Sequence, residues 1–168
     1  MNRNIQGFTL IELVTVIVLL GILGVTALSK YQDMSEEAHT AVARATLGEF
    51  SSAAMTAVYK YSIENDADPS TVSLLGGATL PVNAQGWPGA PFDNSACLDL
   101  WQKLISSSVP MNPWGSVPFL TPAPGWEYLG TSAVCVYFYK PDVTPFKLII
   151  YFPDNGTPTS GRIYGYNI

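Results

Sequence analysis

Phe8-Thr9-Leu10-Ile11-Glu12-Leu13-Val14-Thr15-Val16-Ile17-Val18-Leu19-Leu20-Gly21-Ile22-Leu23-Gly24-Val25-Thr26-Ala27-Leu28 is the stretch that decides the fold. Wound as an α-helix it rises about 32 Å, enough to cross the hydrocarbon core of a bilayer. No second apolar run approaches that length, which excludes a multi-pass membrane protein. The run is preceded by a short polar segment, residues 1–7, ending in Gly7. A secretory signal peptide would have a shorter apolar core followed by a small-residue cleavage site. Here the core is longer and the glycine stands before it. A plain membrane anchor leaves Glu12 unexplained. An ionisable side chain inside a spanning segment costs about 2.5–3.5 kcal/mol on insertion scales and marks function by default.

Downstream of the run the composition turns amphipathic. Met34, Ala38, Ala41, Val42 and Ala45, then Leu47, Phe50, Ala54, Ala57, Val58 and Tyr61, recur at helical spacing, which predicts one apolar stripe facing a core. Asp33, Glu36, Glu37, His39, Thr40, Arg44 and Glu49 fall on the other, solvated side. Asn65-Asp66-Ala67-Asp68-Pro69 stops the helix, which would be about 85 Å long if straight. All 13 prolines lie at or beyond Pro69, so the chain beyond the helix is a loop-rich head containing strands.

Residues 69–94 read as a loop. Asn94 or Ser95 would cap a short helix carrying Leu98, Trp101, Leu104 and Ile105 on one face. Residues 110–125, with five prolines and two glycines, read as a second loop. Strands are predicted at 126–129, 133–139 and 146–152, the last two pairing antiparallel, with a turn at Pro153-Asp154-Asn155-Gly156 and an edge strand at Arg162–Tyr166. Trp101, Trp114 and Trp126 are assigned to the core. Trp87, in Gly86-Trp87-Pro88-Gly89, is the candidate for an exposed aromatic that a ligand would touch.

Cys97 and Cys135 have no metal-binding spacing. With an export-type N-terminus a disulfide is the default reading, two unpaired buried thiols the alternative. The net charge of −5 rests on eight Lys+Arg, none adjacent, against thirteen Asp+Glu, which disfavours nucleic acid as a partner. No catalytic constellation is visible around His39, the only histidine, so no enzyme activity, cofactor or metal is expected. Asp66 and Asp68 cap and end the helix rather than bind calcium.

Gly7-Phe8-Thr9-Leu10-Ile11-Glu12 resembles the class III signal sequence of type IV prepilins and pseudopilins. Residues 1–50 are most similar to the MSHA-type pilins, through Leu20-Gly21-Ile22-Leu23-Gly24-Val25-Thr26-Ala27, Lys30-Tyr31 and Glu36-Glu37-Ala38. Cys97-Leu98-Asp99-Leu100-Trp101 and Asn112-Pro113-Trp114-Gly115 are similar to segments of the same group. The chain departs from many relatives in carrying Ser29-Lys30, and no proline, at the end of the run.

The resemblance implies an α+β fold shaped like a ladle. A long N-terminal helix, transmembrane in its first half, packs its second half on a small antiparallel sheet. It implies a leader at residues 1–7, a membrane and polymerisation helix at 8–29 and a head at 30–168. Prepilin peptidase would cut between Gly7 and Phe8 and methylate the new amino group of Phe8. Glu12 would pair with the amino terminus of a neighbouring subunit, and Gly21 and Gly24 would serve helix packing or local melting. The implied life cycle starts in the inner membrane and ends in an extracellular adhesive filament made with other pilin subunits. A minor pilin with a ligand-binding head, or a pseudopilin of a type II secretion system, is the alternative.

Overall fold

The computed structural model describes residues 8–64, 70–74, 77–89, 93–105, 109–115, 125–131, 134–140, 145–153 and 161–168. The leader, Asn65 to Pro69 and Asp154-Asn155-Gly156 therefore lie outside the described residues. The elements are α1 (Leu10–Glu64), β1 (Thr71–Ser73), β2 (Thr79–Pro81), α2 (Asn94–Leu104), β3 (Met111–Pro113), β4 (Gly125–Gly130), β5 (Cys135–Lys140), β6 (Lys147–Phe152) and β7 (Arg162–Tyr166). The architecture is α+β and pilin-like: a long N-terminal helix followed by an antiparallel-rich sheet. The chain forms two compact units, Met1–Ala38 and His39–Ile168.

In the second unit the main sheet has the order β3-β4-β5-β6-β7. β4 through β7 pair antiparallel, with Tyr128 opposite Tyr137 and Tyr137 opposite Ile149. β3 joins parallel to β4, with Asn112 opposite Glu127. Residues 110–125 are thus not wholly loop, and residues 69–94 contain the antiparallel pair β1–β2. Both corrections have one cause. Three-residue strands are too short to display the two-residue alternation by which strands are recognised. Only Val72 and Leu80, at the centres of β1 and β2, turn inward.

The core lies between α1, α2 and the inner face of the sheet. Phe50 is fully buried and meets the rings of Trp101, Tyr137 and Tyr151 at centroid separations of 6.1, 5.4 and 5.4 Å. Trp101 in turn packs on Tyr137 at 4.7 Å and on Trp126 at 5.0 Å. Tilted and edge-on contacts of this kind add roughly 0.5–1.5 kcal/mol each beyond area burial. The inner hydroxyls are satisfied: Tyr137 donates to the carbonyl of Cys97 at 2.9 Å and Tyr151 to that of Pro88 at 2.6 Å.

The buried face of α1 follows the predicted stripe from Leu47 onward, through Phe50, Ala54 and Ala57, but departs from it before that. Ala43, Thr46, Phe50, Ala54 and Ala57 turn inward, whereas Ala41, Val42 and Ala45 are exposed. Thr46 is accommodated because its hydroxyl donates back to the carbonyl of Val42 at 2.9 Å. His39, assigned to the solvated side, is half-buried, and its Nδ1 lies 2.7 Å from the Tyr139 hydroxyl. Helix α1 consequently keeps a second apolar face that the head does not cover. Val42, Met55, Tyr59 and Ile63 lie on exposed parts of its surface.

Asp93, rather than Asn94 or Ser95, caps α2. Its carboxylate accepts from the Ser95 hydroxyl at 2.6 Å and from the Ala96 N–H at 2.8 Å. Those bonds, the hydroxyl's first, hold its carboxyl below the usual aspartate range. Asn94 instead accepts from the Gly130 N–H at 2.6 Å, tying α2 to β4. α2 buries Cys97, Leu100, Trp101 and Leu104, and Leu98 is only half-buried.

Burial, and secondarily the charge that Tyr151 would carry, push the Tyr137 hydroxyl well above the ordinary tyrosine value. A phenol that resists ionisation only when folded favours the native state up to its unfolded pKa. Above it, that stability falls progressively as pH rises toward the folded value. Tyr137→Phe should therefore flatten the alkaline limb of stability, measured by denaturant unfolding from neutral pH upward past the ordinary tyrosine range. A limb as steep in the variant as in the wild type would refute this assignment.

Candidate functional site

The chemistry predicted at the N-terminus sits at the first turn of α1, which opens at Leu10 because Thr9 caps it. The Thr9 Oγ1 accepts from the Glu12 N–H at 3.4 Å. In return Glu12 Oε2 accepts from the Thr9 N–H at 2.9 Å and from the Thr9 hydroxyl at 2.7 Å. This is a reciprocal capping box, Thr-x-x-Glu, in which side chains satisfy donors that a helix leaves unpaired at its start. The signal stood in the sequence as Thr9 and Glu12 three residues apart, yet attention to the charge of Glu12 passed over Thr9.

Beyond the cap the helix presents apolar side chains that no described residue covers. Phe8, Leu10 and Ile11 are 87%, 81% and 70% exposed, and every described residue from Phe8 to Met34 is exposed. Helix α1 is long and apolar enough to cross a membrane, by length and composition. Its hydroxyls do not spoil that surface. Thr15 donates to the carbonyls of Ile11 and Glu12, and Thr26 to that of Leu23 at 2.9 Å. A Cβ added at Gly21 or Gly24 would meet nothing within 4 Å, so packing among the described residues requires neither glycine. Each costs helix stability relative to alanine, by about 1 kcal/mol.

The other singled-out residues lie in the head. Cys97 on α2 and Cys135 on β5 form a disulfide, both fully buried, with Cα atoms 5.6 Å apart. Trp101 and Trp126 are in the core. Trp114 is not: it is 39% exposed and stacks outside the sheet on Phe138, with ring centroids 4.0 Å apart. The correction follows from β3, whose parallel pairing to β4 carries Trp114 to the sheet's outer side. Trp87 is half-buried and packs against the core cluster. Asn83 Oδ1 accepts from its N–H at 2.8 Å, and a Cβ at Gly161 would collide with its ring. Among the described residues no three His, Cys, Asp or Glu side chains gather as metal ligands would.

A pair that sequence reading did not find lies below Trp114. Glu127, fully buried, meets Lys140 at 2.8 Å, and Lys140 Nζ sits 5.2 Å from the centre of the Trp114 ring. The Gly115 N–H donates to the second carboxylate oxygen of Glu127 at 3.3 Å. The pair pins the β3 turn to β4 and β5.

Comparison with known families settles what the N-terminal arrangement is. Residues 2–28 carry the prokaryotic N-terminal methylation motif. That motif is the class III signal peptide of type IV pilins, and its presence supports a pilin- or pseudopilin-like precursor. Processing by a prepilin peptidase and assembly with other pilin subunits are implied by the motif, as is anchoring in a membrane before assembly. No curated protein and no solved structure gives a match to the chain.

Proposed function

We propose that this chain is a structural subunit of a type IV pilus of the MSHA-like kind, and that it acts by assembly rather than catalysis. Prepilin peptidase cuts between Gly7 and Phe8 and methylates Phe8. The mature subunit waits in the inner membrane through α1 and is then drawn into an extracellular filament that serves surface attachment. The observation that carries this reading is the methylation motif on a helix whose apolar surface is exposed among the described residues. Such a surface is stable only in lipid or against other helices. The second exposed face of α1, with Ala41, Ala45, Met55 and Tyr59, supports it by extending the uncovered surface into the head. The MSHA-like assignment rests on the likeness of Leu20–Ala27, Lys30-Tyr31 and Glu36-Glu37-Ala38, and more weakly on the segments around Cys97 and Asn112.

In the assembled helix bundle, Glu12 pairs with the amino terminus of a neighbouring subunit. A buried ion pair of that kind specifies register more than it adds stability. Glu12→Val should leave leader cleavage intact and lower incorporation into filaments about tenfold or more, since the neighbour's amine is then buried unpaired. The decisive measurement is mass spectrometry of filaments sheared from native cells. Abundant peptides beginning with methylated Phe8 are expected. Chain that begins only at Met1 would overturn the reading.

A further inference from the structure

We infer that the outer face of β7 is a docking surface for a second copy of this chain, with Arg162 receiving the acidic turn at Asp33 and Glu37 on that copy's α1. The inference rests on the reading of the chain as a filament subunit. β7 stands last in the sheet order, so among the described residues it pairs on one side only. Arg162, Tyr164 and Tyr166 alternate along it and share one face. The opposite face turns inward, where Ile163 packs against the core cluster and the Leu47 side chain closes over Gly165. Tyr164 and Tyr166 are 43% and 59% exposed. Tyr164 is held from two sides: Phe152 meets it edge-on with ring centroids 5.8 Å apart, and the Arg162 guanidinium donates to its hydroxyl at 3.4 Å. Among the described residues no carboxylate reaches Arg162. A lone charge on an edge strand serves to discourage stray pairing. That purpose does not call for two exposed rings beside it. Tyrosine and arginine are the residue types that anchor interfaces, and a ring already held by its neighbours loses little freedom on docking.

Charge complementarity selects the occupant. Residues 30–38 carry Asp33, Glu36 and Glu37 against one cation, Lys30. Glu64, Asp99 and Glu127 hold lysines, whereas Asp33 and Glu37 have no ion pair among the described residues. Asp33, Met34 and Glu37 are neighbours on the helix surface, and Tyr31 lies one turn before Met34. Tyr31 and Met34 are 73% and 69% exposed. The helix thus offers acid beside apolar surface, and β7 offers arginine beside apolar surface. Arg162 to Tyr166 spans about 13 Å of strand, and Tyr31 to Glu37 about 9 Å of helix, so one lies along the other. Met34 then meets the Tyr164 ring, a favourable sulfur–aromatic contact, while the guanidinium fork takes a carboxylate. Lys30 and Arg44 are also without an ion pair among the described residues, but neither adjoins two exposed aromatic rings.

The test uses the full chain in native cells, with the ratio of filament to membrane protein measured from the Phe8 peptide. Arg162→Glu should be cleaved normally, yet its ratio should fall about fivefold or more, because like charges then meet. Glu37→Arg alone should fall similarly. The two together should return to within about twofold of the wild type, a rescue that a role confined to the sheet would not show. A second measurement reads the geometry. Met34→Cys combined with Tyr164→Cys, in sheared and oxidised filaments, should give a ladder of disulfide-linked multimers, and either single variant should give none. The native cysteines do not interfere, since they are bridged to each other and buried. Wild-type incorporation by Arg162→Glu, no rescue by Glu37→Arg, or a double-cysteine chain that stays monomeric would each overturn the inference. Normal incorporation of Arg162→Glu with loss of surface attachment would overturn it too, by showing that β7 meets something outside the filament. All of these leave the subunit reading in place. Absence of the processed wild-type chain from filaments would overturn both.

Discussion

Replacing Cys97 by Ser should lower the melting temperature of the head by about 10 °C or more without hindering membrane insertion. The bridge joins positions 38 residues apart, from α2 to the middle of the sheet. In the chain-entropy account a closed loop of that length is worth on the order of 4 kcal/mol, because the unfolded chain loses the freedom to separate its ends. A second cost comes from the site itself. Both sulfurs are fully buried against Leu100 and Trp101, so a serine hydroxyl at position 97 enters an apolar environment. The two costs separate experimentally. Cys97→Ala with Cys135→Ala loses the bridge but buries no hydroxyl, and its melting temperature should match that of the reduced wild type. Calorimetry of the detergent-solubilised chain reads both. A single variant that melts within a few degrees of the oxidised wild type would mean the bridge does not hold the head together. Insertion is expected to be untouched because the residues that carry it, Phe8 to Leu28, belong to the other compact unit.

How far the sequence was legible varied with the range of the interaction concerned. The apolar run from Phe8 was plain because it depends on composition alone, and the strands around Tyr137 and Ile149 were plain because each is long enough to alternate. Arg162–Tyr166 was recognised as a strand at the edge, where the sheet order places it. The inward face of α1 was read correctly at Phe50, Ala54 and Ala57 and misread before Leu47 for a specific reason. Ala41, Ala43 and Ala45 are identical residues, and the partner that chooses among them is the aromatic cluster of Phe50, Trp101, Tyr137 and Tyr151, assembled from distant segments. Helical periodicity sees an alanine-rich helix as apolar on either side. β3 was missed because its partner strand begins beyond an intervening segment and runs parallel, a pairing no local turn announces. The N-terminal site divides in the same way. Glu12 stood out by its charge in an apolar run, whereas the role of Thr9 emerged only when its two donors were seen to meet on one oxygen.

The least legible feature was the buried pair of Glu127 and Lys140, and it carries the second large effect. Glu127 sits between Trp126 and Tyr128 on β4, where alternation alone would turn it to solvent. It is buried because β3 and the Trp114 ring close over it, and Lys140, two residues beyond Phe138, reaches back to it at 2.8 Å. Taking two charges out of water costs several kcal/mol per ion, which their attraction and added hydrogen bonds only roughly offset. The pair as a whole therefore contributes little net stability, yet breaking it is expensive. Lys140→Met should destabilise the head by about 3–5 kcal/mol, since the carboxylate stays buried and loses its cation. Glu127→Leu combined with Lys140→Met should return to within about 1–2 kcal/mol of the wild type, because neither charge then needs compensation. Denaturant unfolding of the four members of this cycle gives the coupling directly. If Lys140→Met costs less than about 1 kcal/mol, water reaches the carboxylate and Trp114 does not seal the pair. If the double variant is as unstable as the single one, the cost lies in packing beneath Trp114 rather than in charge. What the pair supplies on this account is specificity. It favours the register in which β3 lies parallel to β4 with Asn112 opposite Glu127, because a slip of that short strand would take from the pair the Gly115 N–H and the Trp114 ring.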